Sequence, residues 1–421
     1  MPEAKTSNTV SVENIQEAAH VLKDIAIRTP LMYNHQLSEQ SGANVWLKRE
    51  DLQVVRSYKI RGAYHKIQSL NDKELENGIV CASAGNHAQG VAFACAKKKI
   101  KGVIFMPVPT PEQKVKQVKM FGKEFVEVRL VGDTFDDSFD EAMQFSKQQS
   151  AAFIPPFDDP KIIEGQGTVG KEILEDAEEP IDYLIVPIGG GGLSSGIGSY
   201  FSVLSPSTKI IGVEPEGAPA MKKSLEQGEL LTLEKIDKFV DGAAVKRVGE
   251  HNFKICQEVL EKVITVHEGK VCSTILQLYN EQAIVAEPAG SLSVAALDFL
   301  KDEIKGKNVV CVVSGSNNDI TRTAEIKERS MLYEGLKHYF IVDFPQRAGA
   351  LREFLDNVLG PQDDIAHFEY SKKTSREQGP ALIGIEIKAK NDFEPLVERM
   401  EAANINYEYV NNQPHLFRFL I

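Results

Sequence analysis

An unbroken apolar run leads into four glycines in Tyr183-Leu184-Ile185-Val186-Pro187-Ile188-Gly189-Gly190-Gly191-Gly192-Leu193. A strand that is apolar at every position is typical of a parallel sheet whose two faces are both covered by helices. A simple turn needs only one or two glycines, so four in a row favour a loop whose N–H groups cradle a phosphate. The Walker ending is missing and the dinucleotide-binding spacing is met only loosely, while a flexible surface loop is the alternative interpretation.

Similar apolar runs occur on both sides of this stretch and alternate with segments of helical periodicity. The predicted strands are 45–48, 79–82, 103–106, 125–130, 183–188, 210–214 and 309–313. An amphipathic helix is predicted over 12–24, with Ser11 as its N-cap. Helices and strands in alternation predict an α/β fold with mainly parallel sheets flanked by helices.

The pattern changes after about Met331. The order strand, helix, strand, strand, helix, strand is predicted there over 338–344, 350–359, 365–370, 382–387, 393–402 and 406–410, with a last strand over 416–420. This order is the split βαβ motif, and about 90 residues suffice for a small α+β domain. We therefore expect two regions, 1–330 and 331–421.

Composition excludes several classes of protein. The 421 residues include 48 basic and 60 acidic side chains, a net charge of −12, which disfavours nucleic acid and anionic membranes as partners. Five scattered cysteines without a CxxC pair indicate neither a disulfide framework nor a zinc site. The polar first ten residues and the lack of an apolar run of 18 residues favour a cytoplasmic protein.

A candidate nucleophile lies in Ser57-Tyr58-Lys59-Ile60-Arg61-Gly62-Ala63, at the start of a predicted helix. A lysine that attacks an aldehyde must be partly neutral, which requires desolvation or nearby positive potential. The N-terminus of a helix inside a cleft supplies both. Taken alone, however, Lys59 also fits an ordinary solvated helix lysine.

Two more motifs follow predicted strands, where α/β sheets bind ligands. Ser83-Ala84-Gly85-Asn86-His87 has small residues whose N–H groups can converge on an anion, and Asn86 adds an amide donor. Ser314-Gly315-Ser316-Asn317 places a hydroxyl where it can bond a buried ring nitrogen. Each motif alone equally fits a turn that caps a helix.

Together, in this order and at these separations, the four motifs resemble those of the fold-type II pyridoxal-phosphate enzymes, and among them the biosynthetic threonine dehydratases. The resemblance extends over nearly the whole chain, from Arg28-Thr29-Pro30-Leu31 through Lys48-Arg49-Glu50-Asp51-Leu52 to the C-terminal unit. It implies a two-lobed catalytic region whose small lobe, about 50–155, is inserted in the large one. The implied reaction converts L-threonine, with L-serine as a further possible substrate, to a 2-oxo acid and ammonia.

The resemblance also implies roles for individual residues. Lys59 is the lysine that holds pyridoxal phosphate as a Schiff base and later moves the α-proton, and Ser314 faces the pyridine nitrogen. Asn86 bonds the phenolic oxygen of the cofactor. The remaining implied contacts are with the phosphate, from Gly189, Gly190, Gly191, Gly192 and Leu193, and with the substrate carboxylate, from Ser83, Ala84, Gly85, Asn86 and His87.

Two departures from relatives of the same fold refine this expectation. Serine racemases carry an acid/base serine directly before the glycine of the asparagine loop, where this chain has Ala84, so we expect a dehydratase. Some relatives bind a divalent cation near the residue that matches Glu214, but Ala220 replaces the second carboxylate. A hard cation would lose an oxygen ligand there, and we expect no metal.

The C-terminal unit resembles the ACT-like regulatory domain of biosynthetic threonine dehydratases. This resemblance implies a homotetramer and a branched-chain amino acid as effector, typically isoleucine as feedback inhibitor, bound near 344–351 between subunits. A domain kept only for oligomerisation is the alternative. Glu287 and Gly242 match segments near the cofactor, where a supporting role is expected.

Three competing functions remain. A catabolic serine/threonine dehydratase without isoleucine control is the nearest one, although such relatives generally lack the C-terminal unit. Threonine synthase would need a site for a phosphorylated substrate that the sequence does not reveal. An amino-acid sensor with a decayed catalytic half is disfavoured because Lys59, Asn86, the glycine loop and Ser314 are all intact.

Overall fold

The computed structural model describes residues 8–370 and 378–413. It divides into two compact units, Met1–Asp319 and Ile320–Ile421. The predicted division into 1–330 and 331–421, with a small lobe of about 50–155, stays a prediction. No helix among the described residues is long and apolar enough to span a membrane.

Strands and helices alternate through the first unit, and a strand-rich order follows in the second. The strands are β1 (Leu31–Tyr33), β2 (Asn44–Arg49), β3 (Ile79–Ala82), β4 (Gly102–Met106), β5 (Val126–Leu130), β6 (Ala152–Phe153), β7 (Tyr183–Pro187), β8 (Lys209–Pro215), β9 (Lys262–Val266), β10 (Asn308–Val313), β11 (Lys337–Pro345), β12 (Asp364–Tyr370), β13 (Gln378–Glu386) and β14 (Tyr407–Tyr409).

The helices of the first unit include the predicted N-terminal helix, where the Ser11 side chain accepts from the Asn14 N–H. They are α1 (Val12–Val21), α2 (His35–Ser41), α3 (Lys59–Gln68), α4 (Asp72–Leu75), α5 (Asn86–Lys98), α6 (Glu112–Gly122), α7 (Phe135–Gln149), α8 (Pro160–Asp176), α9 (Gly192–Leu204), α10 (Ala220–Gln227), α11 (Glu250–Val259), α12 (Glu268–Gln282), α13 (Pro288–Ala295) and α14 (Leu297–Ile304). The second unit has α15 (Thr323–Glu334), α16 (Ala350–Val358) and α17 (Phe393–Ala402).

Two sheets make up the first unit, and the described residues give the larger one six strands in the order β1-β2-β10-β7-β8-β9. The strand β1 pairs antiparallel with β2, and every other pair is parallel. All five residues of β7 are buried, as expected for a strand covered on both faces.

The smaller sheet has the order β5-β4-β3-β6 within the described residues, and all of its pairs are parallel. Its residues lie between β2 and β7 in the sequence, so the chain leaves the large sheet and returns to it. The carboxyl ends of β3, β7 and β10 lead directly into the three predicted loop motifs. The predicted mainly parallel α/β architecture is therefore confirmed.

The second unit folds around a four-stranded antiparallel sheet with the order β12-β13-β11-β14 in the described residues. Its own core includes Phe340, Phe354, Ile383 and Leu396, all at most 1% exposed. The chain order β11-α16-β12-β13-α17-β14 confirms the predicted split βαβ motif. The strand predicted over 416–420 lies outside the described residues.

A buried cluster of charges positions the helix that begins with Lys59. Arg61, on α3, forms ion pairs with Glu50 and with Glu172 of α8, both at 2.7 Å. Lys48 of β2 pairs with the same Glu172 at 2.7 Å and is itself fully buried. These charges satisfy one another in the interior, so they fix α3 against both β2 and α8.

Candidate functional site

One cleft of about 750 Å³ lies between the two sheets and brings the four sequence motifs together. Its walls include the following predicted residues: Lys59, Ser83, Ala84, Gly85, Asn86, His87, Gly189, Gly190, Gly192 and Ser314. Gly191 and Leu193 belong to the same loop, but the Leu193 side chain packs into the hydrophobic core beneath it. Residues far apart in the sequence therefore share one concave surface, as ligand sites of α/β folds do.

Lys59 opens α3 and directs its amine into the cleft. The Nζ atom donates to the backbone carbonyl of Pro156 at 2.8 Å and lies 5.9 Å from the centre of the Phe157 ring. Burial lowers the pKa of Lys59 to about 8, against the opposing effect of the Glu287 carboxylate. With this pKa roughly a tenth of the amine is neutral at pH 7, far more than for an ordinary lysine, so it can act as a nucleophile and base.

The glycine loop runs from β7 into α9 along the floor of the cleft. Gly191 has a φ of +94°, which favours glycine, and it forms the N-cap of α9. An added Cβ at Gly190 would lie 2.2 Å from the Phe157 ring, so only glycine allows this ring to approach the loop. The N–H groups of the first turn of α9 give this end of the cleft a partial positive charge suited to an anion.

A second helix N-terminus comes from the loop 83–87, because α5 begins at Asn86. An added Cβ at Gly85 would meet no atom within 4 Å, so the loop borders open space. The His87 ring is buried, with Nε2 2.9 Å from the carbonyl of Ile154. Burial, with the Lys59 charge, lowers the pKa of His87 to about 3, so this side chain is neutral at physiological pH.

Asn86 is held at both ends of its amide group. Its Nδ2 donates to Oε1 of Glu287 at 2.7 Å, and its Oδ1 accepts from Nδ2 of Asn317. Glu287 is the N-cap of α13, and burial raises the pKa of its carboxyl group to about 7. Three elements that are distant in sequence therefore meet at this one side chain.

Ser314 follows the last residue of β10 and is only 3% exposed. Its carbonyl accepts from the N–H of Tyr58, which ties this strand end to the start of α3. Gly315 also forms an isolated antiparallel bridge with Ser57. The serine and the lysine are thus positioned by a shared piece of backbone.

Glu214, the position considered for a cation, has a different role in the structure. Its carboxylate accepts from the N–H groups of Met221 and Lys222 at 2.7 and 2.8 Å, at the N-terminus of α10. The side chain is fully buried. In the part of the chain that the structure describes, no group of three His, Cys, Asp or Glu residues is arranged to hold a metal ion.

Sequence reasoning did not identify several residues of the cleft. Phe157, Asn317, Lys114 and Asp241 all line it, and the last two form an ion pair that connects α6 to the segment between α10 and α11. The repeated prolines before Phe157 mark a turn, but not which ring enters the cleft. Asn317 belongs to the motif that begins at Ser314, but the sequence predicted no contact for its side chain.

Comparison with protein families identifies both units. Residues 22–315 match the family described as pyridoxal-phosphate dependent enzyme. Residues 328–420 match the family described as the C-terminal regulatory domain of threonine dehydratase. The first match alone extends over more than half of the chain.

Individual relatives agree with these matches. The chain is 60% identical to the biosynthetic L-threonine dehydratase IlvA of Halalkalibacterium halodurans over 98% of its length and 99% of the relative's. It is 57% identical to the enzyme of the same name from Bacillus subtilis over the full length of both chains.

Solved structures show the same fold for the catalytic region. The processed form of threonine deaminase isoform 2 from Solanum lycopersicum is 37% identical, with a TM-score of 0.71 over 77% of this chain and 96% of that one. Serine racemase from Dictyostelium discoideum is 31% identical, with a TM-score of 0.68 over 74% of this chain and 99% of that one. The chain therefore belongs to the biosynthetic threonine dehydratases, fold-type II pyridoxal-phosphate enzymes that carry a C-terminal regulatory domain.

Proposed function

We propose that the chain converts L-threonine to 2-oxobutanoate and ammonia, the first step of isoleucine biosynthesis, with pyridoxal phosphate as cofactor and Lys59 as the reacting lysine. The observation that carries this proposal is the buried Lys59 amine, with its pKa lowered to about 8, in a cleft that two helix N-termini border. Full-length similarity to biosynthetic threonine dehydratases supports the choice of substrate.

The residues of the cleft fit pyridoxal phosphate. An aldehyde requires a partly neutral amine, which Lys59 provides, and a phosphate requires converging N–H donors, which the glycine loop and the first turn of α9 provide. We assign the phosphate to Gly189, Gly190, Gly191, Gly192 and the backbone of Leu193. When bound, the cofactor supplies an electron-withdrawing ring that stabilises negative charge at the α-carbon of the substrate.

Three side chains of the cleft have separate roles in the proposed reaction. Lys59 removes the α-proton, because its amine is the partly neutral base inside the cleft. Asn86 would donate to the phenolic oxygen of the cofactor, and the hydroxyl of Ser314 would face the ring nitrogen without holding it protonated. By not protonating that nitrogen, Ser314 would leave the ring only moderately electron-withdrawing, which suits elimination of a β-hydroxyl group.

The substrate carboxylate is assigned to the loop Ser83, Ala84, Gly85, Asn86 and His87 at the start of α5. The partial positive charge of the helix N-terminus favours an anion there. The neutral His87 ring holds the loop through the carbonyl of Ile154 and adds no positive charge of its own. Ala84 offers no hydroxyl to return a proton from the opposite face, so we propose elimination and not racemisation.

The effector and the assembly are the finer parts of the proposal. We propose that the second unit binds isoleucine near residues 344–351, that this binding lowers threonine turnover, and that the working form is a homotetramer. Its match to a regulatory domain family supports an amino-acid effector. A serine/threonine dehydratase without isoleucine control is the alternative.

We also propose that the enzyme works in the cytoplasm and without a bound metal ion. All five cysteines are free and buried, which suits a reducing compartment. The Glu214 carboxylate already caps α10 through two N–H groups, so it is not left as a cation ligand.

The test is release of 2-oxo acid from L-threonine and L-serine by the cofactor-loaded protein, with and without isoleucine. We expect faster turnover of threonine, suppressed by isoleucine, and no D-serine formed at a comparable rate. Lys59→Ala should lose turnover by at least about 10³-fold, since it removes both nucleophile and base. Lys161→Ala, a lysine outside the cleft walls, is the matched control and should keep turnover.

Each contrary result has a definite meaning. Turnover without an isoleucine effect would keep the lyase and discard the feedback model in favour of the alternative. Bound cofactor without turnover of either amino acid would discard the substrate assignment. Full activity of Lys59→Ala would discard the assignment of the reacting lysine.

A further inference from the structure

The amide group of Asn86 has a defined direction in this structure, and a chain of contacts explains why. An asparagine amide has a donor end and an acceptor end of nearly the same shape, so its direction must follow from its partners. Here one end meets Asn317 and the other meets Glu287.

The first constraint comes from a backbone carbonyl. Nδ2 of Asn317 donates to the carbonyl of Val55 at 3.2 Å. A carbonyl oxygen accepts only, so this contact requires the amide nitrogen of Asn317 on that side. The same nitrogen faces Asn86, which must therefore present its oxygen, Oδ1, to Asn317.

The second constraint acts on the other end of Asn86. Oε1 of Glu287 receives the Nδ2 of Asn86 at 2.7 Å, and the backbone N–H of Asn317 also donates to this carboxyl group, so its oxygens act here as acceptors. Glu287 is itself fixed, because its own N–H donates to the carbonyl of Gly315 at 3.1 Å and the side chain is only 4% exposed. An added Cβ on Gly315 would lie 2.2 Å from Oε1 of Glu287, so the backbone after β10 packs directly on this carboxylate.

The consequence concerns what Asn86 offers to the cleft. Its oxygen is used by Asn317, and one hydrogen of Nδ2 is used by Glu287, so the second hydrogen of Nδ2 is the remaining donor. A donor stabilises an ionised phenolic oxygen, whereas a carbonyl in the same place would repel it.

We propose that Glu287 and Asn317 are positioning residues that hold the amide of Asn86 with its N–H group, and not its carbonyl, toward the phenolic oxygen of the cofactor. The inference rests on the proposed function for the contact between Asn86 and the cofactor. It adds that two residues outside that contact determine the ionisation state of the cofactor and its affinity.

The test uses the full-length protein and the visible absorption of bound pyridoxal phosphate. Asn317→Asp replaces a donor by an acceptor of the same size, so Asn86 should turn its nitrogen toward position 317. We expect the absorption band to shift to the shorter wavelength of the form with a protonated phenolic oxygen, and cofactor affinity to fall about tenfold. Asn317→Ala, which only removes the donor, should shift the same properties in the same direction but less.

Glu287 is tested by a conservative and a severe change. Glu287→Gln keeps an oxygen that can accept from Asn86, so it should retain the band position and lose no more than a few-fold in affinity. Glu287→Ala removes the acceptor and should lose about tenfold. Glu268→Gln is the matched control, because Glu268 is also a buried glutamate at a helix N-terminus, where it accepts from the N–H of Gly217 outside the cleft.

A double-mutant cycle separates positioning from a general structural effect. In the Asn86→Ala background, the spectral shift of Asn317→Asp should disappear, because the amide through which it acts is gone. The same shift in both backgrounds would overturn the inference, as would an unshifted band in Asn317→Asp alone. Failure of the unchanged protein to bind pyridoxal phosphate would instead overturn the proposed function, so the two failures are distinguishable.

Discussion

At the scale of single residues, burial keeps two carboxyl groups of the first unit partly protonated, and one of them, Glu287, lines the cleft. Glu287 is the N-cap of α13, Glu214 lies on β8 and contacts the N-terminus of α10, and both are at most 4% exposed. Burial raises the pKa of Glu287 to about 7 and that of Glu214 to about 8. Hydrogen bonds favour the ionised form, from the N–H groups of Met221 and Lys222 to Glu214 and from Asn86 and Asn317 to Glu287, yet loss of hydration outweighs them in both cases.

Glu214→Gln should change how the free energy of unfolding depends on pH. The folded chain retains a proton at Glu214 up to about pH 8, whereas the unfolded chain releases it near 4.5. The raised pKa therefore contributes stability that is fully present below pH 4.5 and is lost as pH rises toward 8. Since glutamine cannot ionise, the stability of the variant relative to the unchanged protein should rise across this window, by at most about 1.4 kcal/mol per pH unit.

Urea unfolding at several values between pH 5 and 8 provides the measurement. Glu268→Gln, in another helix start, is the control for removing a buried glutamate. A difference between Glu214→Gln and the unchanged protein that stays constant with pH would contradict the raised pKa. Addition of Mg²⁺ or Ca²⁺ should not change the stability of Glu214→Gln or of the unchanged protein, since the Glu214 carboxyl group already accepts from two N–H groups of α10.

Sequence reasoning identified three polar residues that line the cleft, but not all of their contacts. Lys59, Asn86 and Ser314 follow or begin regular elements, and local motifs reveal such positions. The partner of Asn86 at Glu287 is 201 positions away in the sequence. No local pattern encodes a contact of that range, so the direction of the amide emerges only from the fold.

At the scale of elements, the central strands β3, β7, β8 and β10 are evident in the sequence because burial on both faces makes them almost continuously apolar. The predicted 79–82 and the observed β3 have identical bounds, and the helix 393–402 equals α17. The unrecognised strands are β1, β6 and β9. The first two have three and two residues, and β9 lies at a sheet edge with only Val263 and Val266 buried, so each lacks the long apolar signal.

The element that matters most for the site is α3, and its position depends on Arg61. Arg61→Met should destabilise the protein by about 3–5 kcal/mol, because Glu50 would remain as a buried charge without its partner. The displaced α3 should also lower the occupancy of the cofactor on Lys59. Thermal denaturation and cofactor content of the purified variant measure the two effects.

Arg28→Met is the matched control, because Arg28 also pairs with acidic residues at the end of α8, but half-exposed to solvent. It should cost no more than about 1 kcal/mol. The double variant Arg61→Met/Glu50→Gln should recover part of the loss by removing the uncompensated charge. Equal costs for Arg61→Met and Arg28→Met would show that the buried cluster does not fix α3.

At the scale of the whole molecule, each of the two units has a core of its own. Among the described residues, one core cluster lies between Phe340 and Tyr409, and four others lie before Asp319. Separate cores allow catalysis and regulation to be tested separately. The alternation of strands and helices, followed by a split βαβ order, was sufficient to predict the fold class of each unit, whereas the division into 1–330 and 331–421 stays a prediction.

A chain that ends at Asp319 should therefore bind pyridoxal phosphate and release 2-oxo acid from L-threonine, but should no longer respond to isoleucine. The full-length variant Phe354→Ala is its counterpart, because it opens a cavity in the C-terminal core, costs about 3–5 kcal/mol there and leaves the chain length unchanged. Both should keep turnover and lose inhibition, measured as initial rates over an isoleucine series.

Inhibition that persists in the shortened chain would place the effector site in the first unit. Turnover by Phe354→Ala together with an inactive shortened chain would mean that the C-terminal segment supports catalysis itself, and regulation could not then be its only role.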